Sequence, residues 1–334
     1  MDWRKGFSAR YYMTLVDKST WRDIDRLDIT DGSIRRSPDG LRQSADITAI
    51  NYAEKNERFI RIWLDVSQAG SSSRIALFTG LATSPERNIN GKLVSHGLQC
   101  YSVLKPASDI LLPRGWYAPV GINVIWQIRQ LLEGLTVVVD DEYSSLNLKQ
   151  AIVAEQNETR LSMVDVLLNT INWRMTLDGY GRVYLSPYPT EPIAVFDARD
   201  NDIVEPTISD DNDWFDCPNV LRCVMDGTYA EVRDENPKSK FSIPNRGREV
   251  WAEETSCNLN ENETLAEYAR RRLKELQQTG RKISYDRRFM PDIMPTDIIR
   301  LNYPAQDLLG NFIVTEQSIT LGAGCKTSED VLQI

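Results

Sequence analysis

A chain of 334 residues is longer than a single hydrophobic core usually supports, so two to four domains are expected. Its 41% hydrophobic and 26% charged residues suit a folded protein, and no run of eighteen apolar residues offers a bilayer-spanning helix. A net charge of −9 is opposite to the basic surface of a sequence-independent nucleic-acid binder, so neither a specific nucleic acid nor a membrane is an expected partner.

The opening Met1-Asp2-Trp3-Arg4-Lys5-Gly6 has no apolar region and no cleavage signal, which leads to the expectation of synthesis in the cytoplasm without a signal peptide. Strands are predicted from there to about residue 110. Ser8 to Val16 is rich in β-formers and ends on the turn Asp17-Lys18-Ser19. Phe59 to Val66, Arg74 to Thr79 and Leu93 to Leu104 follow, the second entered through Ala69-Gly70-Ser71-Ser72-Ser73. Short strands between turns suggest a barrel or a sandwich.

The pattern changes at Pro119. Val120 to Leu132 reads as a helix with proline near its start, and Ser145 to Glu155 is ambiguous. Thr159 to Asn172 places Leu161, Val164, Leu168 and Ile171 on one apolar helical face. Trp173 to Leu185 is a strand, an Asp178-Gly179 turn and a second strand, hence a hairpin, and Pro187, Pro189 and Pro192 mark an extended exit. An acidic loop, Ser209 to Asp213, opens the last third. Strands are predicted at Val220 to Asp226, Thr228 to Arg233 and Val250 to Ser256, with breaks at Pro237, Pro244 and Gly247. Asn260 with Glu263 reads as a capping-box start of a helix running to about Thr279, with Leu265, Ala269, Leu273 and Leu276 buried and Gly280 ending it. Three β-segments close the chain: Lys282 to Phe289, Asp297 to Tyr303 and Asn311 to Leu321.

The inventory for catalysis is thin. The only histidine, His96, lies in strand-like Leu93-Val94-Ser95-His96-Gly97-Leu98, where a structural role is the plain reading, and no Gly-x-Ser-x-Gly elbow accompanies it. Gly179-Tyr180-Gly181 belongs to a hairpin turn and Gly322-Ala323-Gly324 follows a final strand, so neither reads as a phosphate cradle. Asp140-Asp141-Glu142 and Asp210-Asp211 with Asp213 lack the glycine and distal glutamate of a calcium loop and read as solvated acidic stretches. Cys100, Cys217, Cys223, Cys257 and Cys325 are odd in number and scattered, so free thiols are expected; Cys217 and Cys223 have no second pair and no nearby histidine for zinc. Arg270-Arg271-Arg272 with Lys274 spreads over more than half of a helix circumference, as a solvated face or a protein contact would. No catalytic, cofactor-binding or metal-binding residue is nominated. Eight tryptophans and thirteen tyrosines fit sugar binding, protein interfaces or a β-core, and Trp3, Trp21 and Trp116-Tyr117 are the interface candidates.

From Asn219 the chain resembles a known family. Asn219-Val220-Leu221-Arg222-Cys223-Val224, the Ala/Leu/Arg helix, Pro291-Asp292-Ile293-Met294-Pro295-Thr296-Asp297-Ile298-Ile299-Arg300-Leu301 and Leu309-Gly310-Asn311-Phe312-Ile313-Val314 running into Ser318-Ile319-Thr320-Leu321-Gly322 are similar to the C-terminal part of tail hub proteins of contractile phages, defective prophages and phage-tail-like bacteriocins. Thr296 stands where that family usually has glycine before the aspartate. Asn172-Trp173, the hairpin at Asp178-Gly179 and the Tyr184-Leu185-Ser186-Pro187 exit resemble the hub's middle, and Gly32-Ser33-Ile34-Arg35-Arg36 with Leu41-Arg42-Gln43-Ser44-Ala45 its opening strands. Together these cover about two-thirds of the chain.

The resemblance implies a β-dominated α+β fold with two tail-tube-like β-barrels around a small helix-plus-hairpin middle, divided as 1–115, 116–200 and 201–334. It implies a non-enzymatic homotrimer in the tail or baseplate of a virion or phage-tail-like particle, joining the sixfold tube to the threefold spike. Its partners would be itself, the tail tube protein, the central spike or tape-measure protein and other baseplate proteins, with no cofactor. An acidic wall would also suit a bore that passes DNA. Two other readings are a carbohydrate- or receptor-binding tail component and a cell-wall hydrolase. The first calls for exposed aromatics on one face, the second for a carboxylate pair or a zinc site.

Overall fold

The computed structural model describes residues 1–50, 52–53, 56–83, 85–91, 93–139, 146–200, 208–211, 215–225, 227–255, 257, 259, 263–277 and 281–334. They divide into two compact units: Met1–Ile208 with Ser284–Val331, and Ser209–Ile283 with Leu332–Ile334.

Seven strands fill the first hundred residues: β1 (Ser8–Val16), β2 (Asp23–Arg36), β3 (Gln43–Ile50), β4 (Arg58–Gln68), β5 (Ser71–Ala82), β6 (Glu86–Asn90) and β7 (Leu93–Ser102). Six of them pair in a closed circuit, β1–β4–β5–β7–β3–β2 and back to β1. Strand alternation sends Met13, Leu15, Ile34, Ile47, Ile60, Ile62, Leu64, Val66, Phe78 and Leu98 to one shared core. Burying each of the larger side chains contributes about 1.5–3 kcal/mol. Between β4 and β5 the register jumps from Ile62↔Phe78 to Trp63↔Ala76, which leaves Leu77 unpaired as a bulge.

A second core follows in α1 (Lys105–Asp109), β8 (Tyr117–Ala118), α2 (Val124–Leu131), β9 (Val137–Val139), β10 (Ile152–Val153), α3 (Arg160–Ile171), β11 (Trp173–Leu177) and β12 (Val183–Pro187), after which β13 (Ala194–Asp197) leaves it for the large sheet. The helix α2 starts later than Val120 because the Asn123 side chain accepts from the Trp126 amide and caps it there. The helix α3 keeps its expected length, held by a Thr159–Ser162 capping box and ended by Asn172 at φ +54°. The described part of the ambiguous 145–155 stretch is extended, with Ile152 opposite Ala118. The α2 and α3 faces and the inner face of the β11–β12 hairpin enclose Val124, Ile128, Leu161, Val164, Leu168, Met175 and Val183, packed with Val16, Phe59 and Val103.

The smaller unit contains β14 (Ser209–Asp211), β15 (Val220–Met225), β16 (Thr228–Arg233), α4 (Ile243–Arg246), β17 (Trp251–Glu254) and α5 (Leu265–Gln277). The sheet runs β16–β15–β17, with β17 parallel to β15. On one face Leu221 and Cys223 meet Tyr268, Ala269 and Leu273 of α5. The helix is capped by Thr264 and Glu267: the Glu267 amide donates to Thr264 Oγ1, and the Thr264 amide donates to Glu267 Oε2 at 2.9 Å. This corrects the expected Asn260–Glu263 box; Asn260 lies outside the described residues, and Glu263 instead takes Arg271 at 2.9 Å. Ser209–Asp211 is strand where an acidic loop was expected. Fully buried Asn219 ties the unit together, with Nδ2 donating to the Phe241 and Arg248 carbonyls and Oδ1 accepting from the Val250 amide.

Four strands close the chain, one more than the sequence announced: β18 (Lys282–Arg287), β19 (Ile298–Tyr303), β20 (Leu308–Thr320) and β21 (Thr327–Gln333). The first half of β20 pairs with β19, and its last four residues pair with β2. Among the described residues β13–β19–β20–β21–β18 is an open run. The fold is β-dominated α+β, as expected.

Candidate functional site

The side chains singled out for chemistry are dispersed. His96 is buried in β7 beside the Tyr52 ring, and its Nδ1 has no partner among the described residues. Cys217 lies against the Leu276 carbonyl, and Cys223, a free thiol, lies by Cys257. No group of three His, Cys, Asp or Glu side chains among the described residues could hold a metal ion. Asp140-Asp141-Glu142 and Asp213 fall outside the described residues. Two members of the cationic run on α5 are held in ion pairs: Arg271 with Glu263 and Glu275, and Arg272 with Glu254 and Glu275. Gly322-Ala323-Gly324 forms a turn whose Gly322 carbonyl accepts from Tyr11 Oη at 2.7 Å.

Gly179-Tyr180-Gly181 has a structural task beyond its turn. The tip of the β11–β12 hairpin is wedged against the β5 bulge, where a Cβ on Gly179 would lie 1.7 Å from the Ala76 carbonyl oxygen. Thr79 Oγ1 donates to the Gly179 carbonyl at 2.7 Å, and Gln43 Nε2 to the Leu177 carbonyl at 2.7 Å. Only a residue without a side chain lets the two backbones approach this closely.

Beside the wedge lies a groove of about 540 Å³, lined by Arg36, Arg74, Asp178, Tyr180, Arg182, Tyr184, Asp292 and Met294 among others. Arg36 is 4% exposed. Its Nη2 donates to the carbonyl of bulged Leu77 at 3.3 Å, its Nη1 faces the Met294 sulfur at 3.3 Å, and its Nε has no partner. The cross-strand neighbours of Arg36, Gln43 and Gln317, are uncharged. Burial, with Arg287 nearby, pulls the Arg36 guanidinium down to about 10, so it stays charged at neutral pH.

Behind it the buried pair Arg287–Glu329 is complete. Arg287 Nε and Nη2 reach the two carboxylate oxygens at 2.9 and 2.8 Å, and Tyr285 and Gln317 donate to the same group. Burial alone would push the Glu329 carboxyl up; Arg287, Tyr285 and Gln317 override it and hold the group below its ordinary value. On the adjoining loop Thr296 adopts φ +73°, a conformation that favours glycine. The departure from the hub pattern therefore falls on a left-handed residue. Arg174 Nη1 donates to Thr296 Oγ1 at 2.8 Å and to Asp297 Oδ1 at 2.7 Å, which anchors the strained turn.

Three of the four aromatic interface candidates turn inward. Trp3 packs edge-on to Phe7 and Phe289, and Trp21 and Trp116 pack on the second core. Tyr117 alone of them is exposed, opposite exposed Val153. In the smaller unit Tyr229 and Trp251 are exposed on the sheet, and Arg222 lies over both rings. No helix among the described residues is long and apolar enough to cross a membrane.

The sequence matches no protein-family model and no curated protein. Solved structures do match. The 43 kDa tail protein of prophage MuSo2 from Shewanella oneidensis is 14% identical at a TM-score of 0.67, over 98% of both chains. A tail protein from Neisseria meningitidis MC58 is 13% identical at 0.69, over 98% of this chain and 97% of that one. The chain has the fold of a phage tail protein. Prophage tail protein gp18 from Listeria monocytogenes EGD-e extends the likeness at 12% identity and 0.56, over 97% and 94%. The resemblance read from Asn219 onward is borne out at the level of fold, and the likeness also spans the N-terminal third, where the sequence motifs are faintest.

Proposed function

We propose that the chain is a structural hub of a phage tail or phage-tail-like injection particle, a homotrimeric ring that joins the sixfold tail tube to the threefold spike. The observation that carries this reading is the fold-long likeness to prophage tail proteins, end to end in both chains. The hub motifs in the sequence support it independently. In this reading the closed six-strand circuit and the β18–β21 strands supply two tube-like elements per subunit, so that three subunits offer six. The role is mechanical rather than catalytic, the partners are further copies, the tube protein, the spike or tape-measure protein and other baseplate proteins, and the acidic chain lines a bore that does not trap DNA.

Native mass measurement of the purified chain, alone and mixed with its tube protein, tests the reading. A mass three times that of the chain, rising on addition of tube protein, is the expected result. A monomer at micromolar concentration that ignores the tube overturns it.

A further inference from the structure

Three guanidinium groups line the groove beside the hairpin wedge, and two already have acids. Arg74 Nε meets Asp65 at 2.8 Å, and Arg182 Nε meets Asp178 at 2.7 Å. Arg36 has no carboxylate partner among the described residues, although it is the most deeply buried of the three. The buried acids nearby in sequence and sheet are spoken for: Glu329 by both arms of Arg287, and Asp297 by Arg174. An unpaired buried cation is costly, and a charge-assisted bond to an incoming anion removes that cost.

We infer that this groove binds a carboxylate carried on the side chain of another protein chain, with Arg36 as its floor and Arg74 and Arg182 at its rim. Arginine matches a carboxylate in planar, two-pronged geometry, which a point charge does not. Met294, whose sulfur now faces Nη1, is an unbranched thioether that can swing aside to admit the ligand. Asp178 and Asp292 also line the groove and repel a chain of phosphates, so nucleic acid is disfavoured while a single acidic side chain flanked by neutral or basic neighbours fits. The volume of about 540 Å³ admits a few side chains. The Tyr180 and Tyr184 rings wall it with apolar surface.

The groove is testable apart from any ring. Two blocked tripeptides, one with a central glutamate and one with glutamine in its place, are titrated against the full chain by NMR at pH 7 and fixed ionic strength. The glutamate peptide is expected to bind saturably and about ten-fold more tightly than the glutamine peptide. Arg36→Met is expected to erase that difference and to melt no lower than the parent. Arg182→Gln, at an exposed position, is expected to fold normally and weaken the glutamate peptide about three-fold. Equal binding of both peptides overturns the inference, as does an unchanged preference in a folded Arg36→Met. Should Arg36→Met not fold, an Arg74→Gln/Arg182→Gln variant that keeps full preference overturns it. Displacement of the peptide by an equal concentration of acetate overturns the assignment to a protein side chain.

Discussion

Replacing Gly179 with alanine probes the hairpin wedge with the smallest possible side chain. The new Cβ would sit 1.7 Å from the Ala76 oxygen, 2.3 Å from its carbonyl carbon and 2.9 Å from the Leu77 nitrogen, all backbone atoms that no rotamer change can move. An ordinary carbon–oxygen contact lies at about 3.3 Å, so the tip must retreat by roughly 1.5 Å. That retreat breaks the Thr79–Gly179 and Gln43–Leu177 hydrogen bonds, both made by buried side chains at 2.7 Å. Leaving buried partners unsatisfied costs about 1–3 kcal/mol, and the residual overpacking a further 1–3 kcal/mol. The middle of that summed range, about 3–5 kcal/mol, lowers the melting temperature by roughly 6–20 °C for a unit of this size. Gly6, with nothing within 4 Å of its Cβ position and an ordinary φ, is the control, and Gly6→Ala is expected to melt with the parent. Thermal unfolding followed by near-ultraviolet circular dichroism reads both. If Gly179→Ala melts within a degree of Gly6→Ala, the wedge is not the close-packed joint described.

At Thr296, valine keeps the left-handed strain but loses the hydroxyl that accepts from Arg174, whereas glycine loses both. Thr296→Val is expected to cost about 2 kcal/mol and Thr296→Gly under about 1 kcal/mol, checked by urea titration; the reverse order refutes the strain argument. The folded Glu329 carboxyl is held below its unfolded value of 4.5, so its contribution is complete above that pH and fades as acid titrates the folded group. Glu329→Gln strands Arg287, is expected to cost about 3–5 kcal/mol at pH 7, and should flatten the acid limb of the stability profile. Burial pushes the thiols of Cys100 and Cys223 up to about 12 and that of Cys325 up to about 11, so none should react with an aromatic disulfide reagent at pH 8 before unfolding; fast native labelling of any of the three contradicts their placement.

Legibility followed how well each segment's pattern reported its environment. The strand Ser8–Val16, the hairpin at Asp178-Gly179 and the helix from Thr159 were readable because local propensity, turn residues and burial all agree there. Most of Asp23–Arg36 carried no such signal: Asp23 to Arg26, Asp28, Thr30 and Asp31 are exposed, so its membership of the sheet is set by pairing on both sides rather than by an apolar rhythm. The closing strand β21 was hidden for the opposite reason. Thr327, Glu329 and Val331 point inward in strict alternation, but two of the three are polar, so the period reads as loop.

The same inversion governs the groove and explains why its central residue, Arg36, reads in the sequence as part of an opening strand and not as a site. Arg36 alternates with Ile34 on β2 and so occupies a core position with a cation, a choice that only tertiary context can make tolerable. That context comes from three distant places: the bulge at Leu77, the loop at Met294 and the hairpin tip whose glycine lets the backbones meet. Each was visible in the sequence as an unremarkable residue, and none announces the others, because their convergence depends on where the β4–β5 register slips. The site therefore belongs to the packing rather than to any motif. An arginine kept inside a β-core, with its cross-strand neighbours neutral and the buried acids Glu329 and Asp297 already paired, is destabilising for the isolated chain; it becomes favourable when a second chain brings the missing carboxylate, which is the behaviour the proposed assembly role requires.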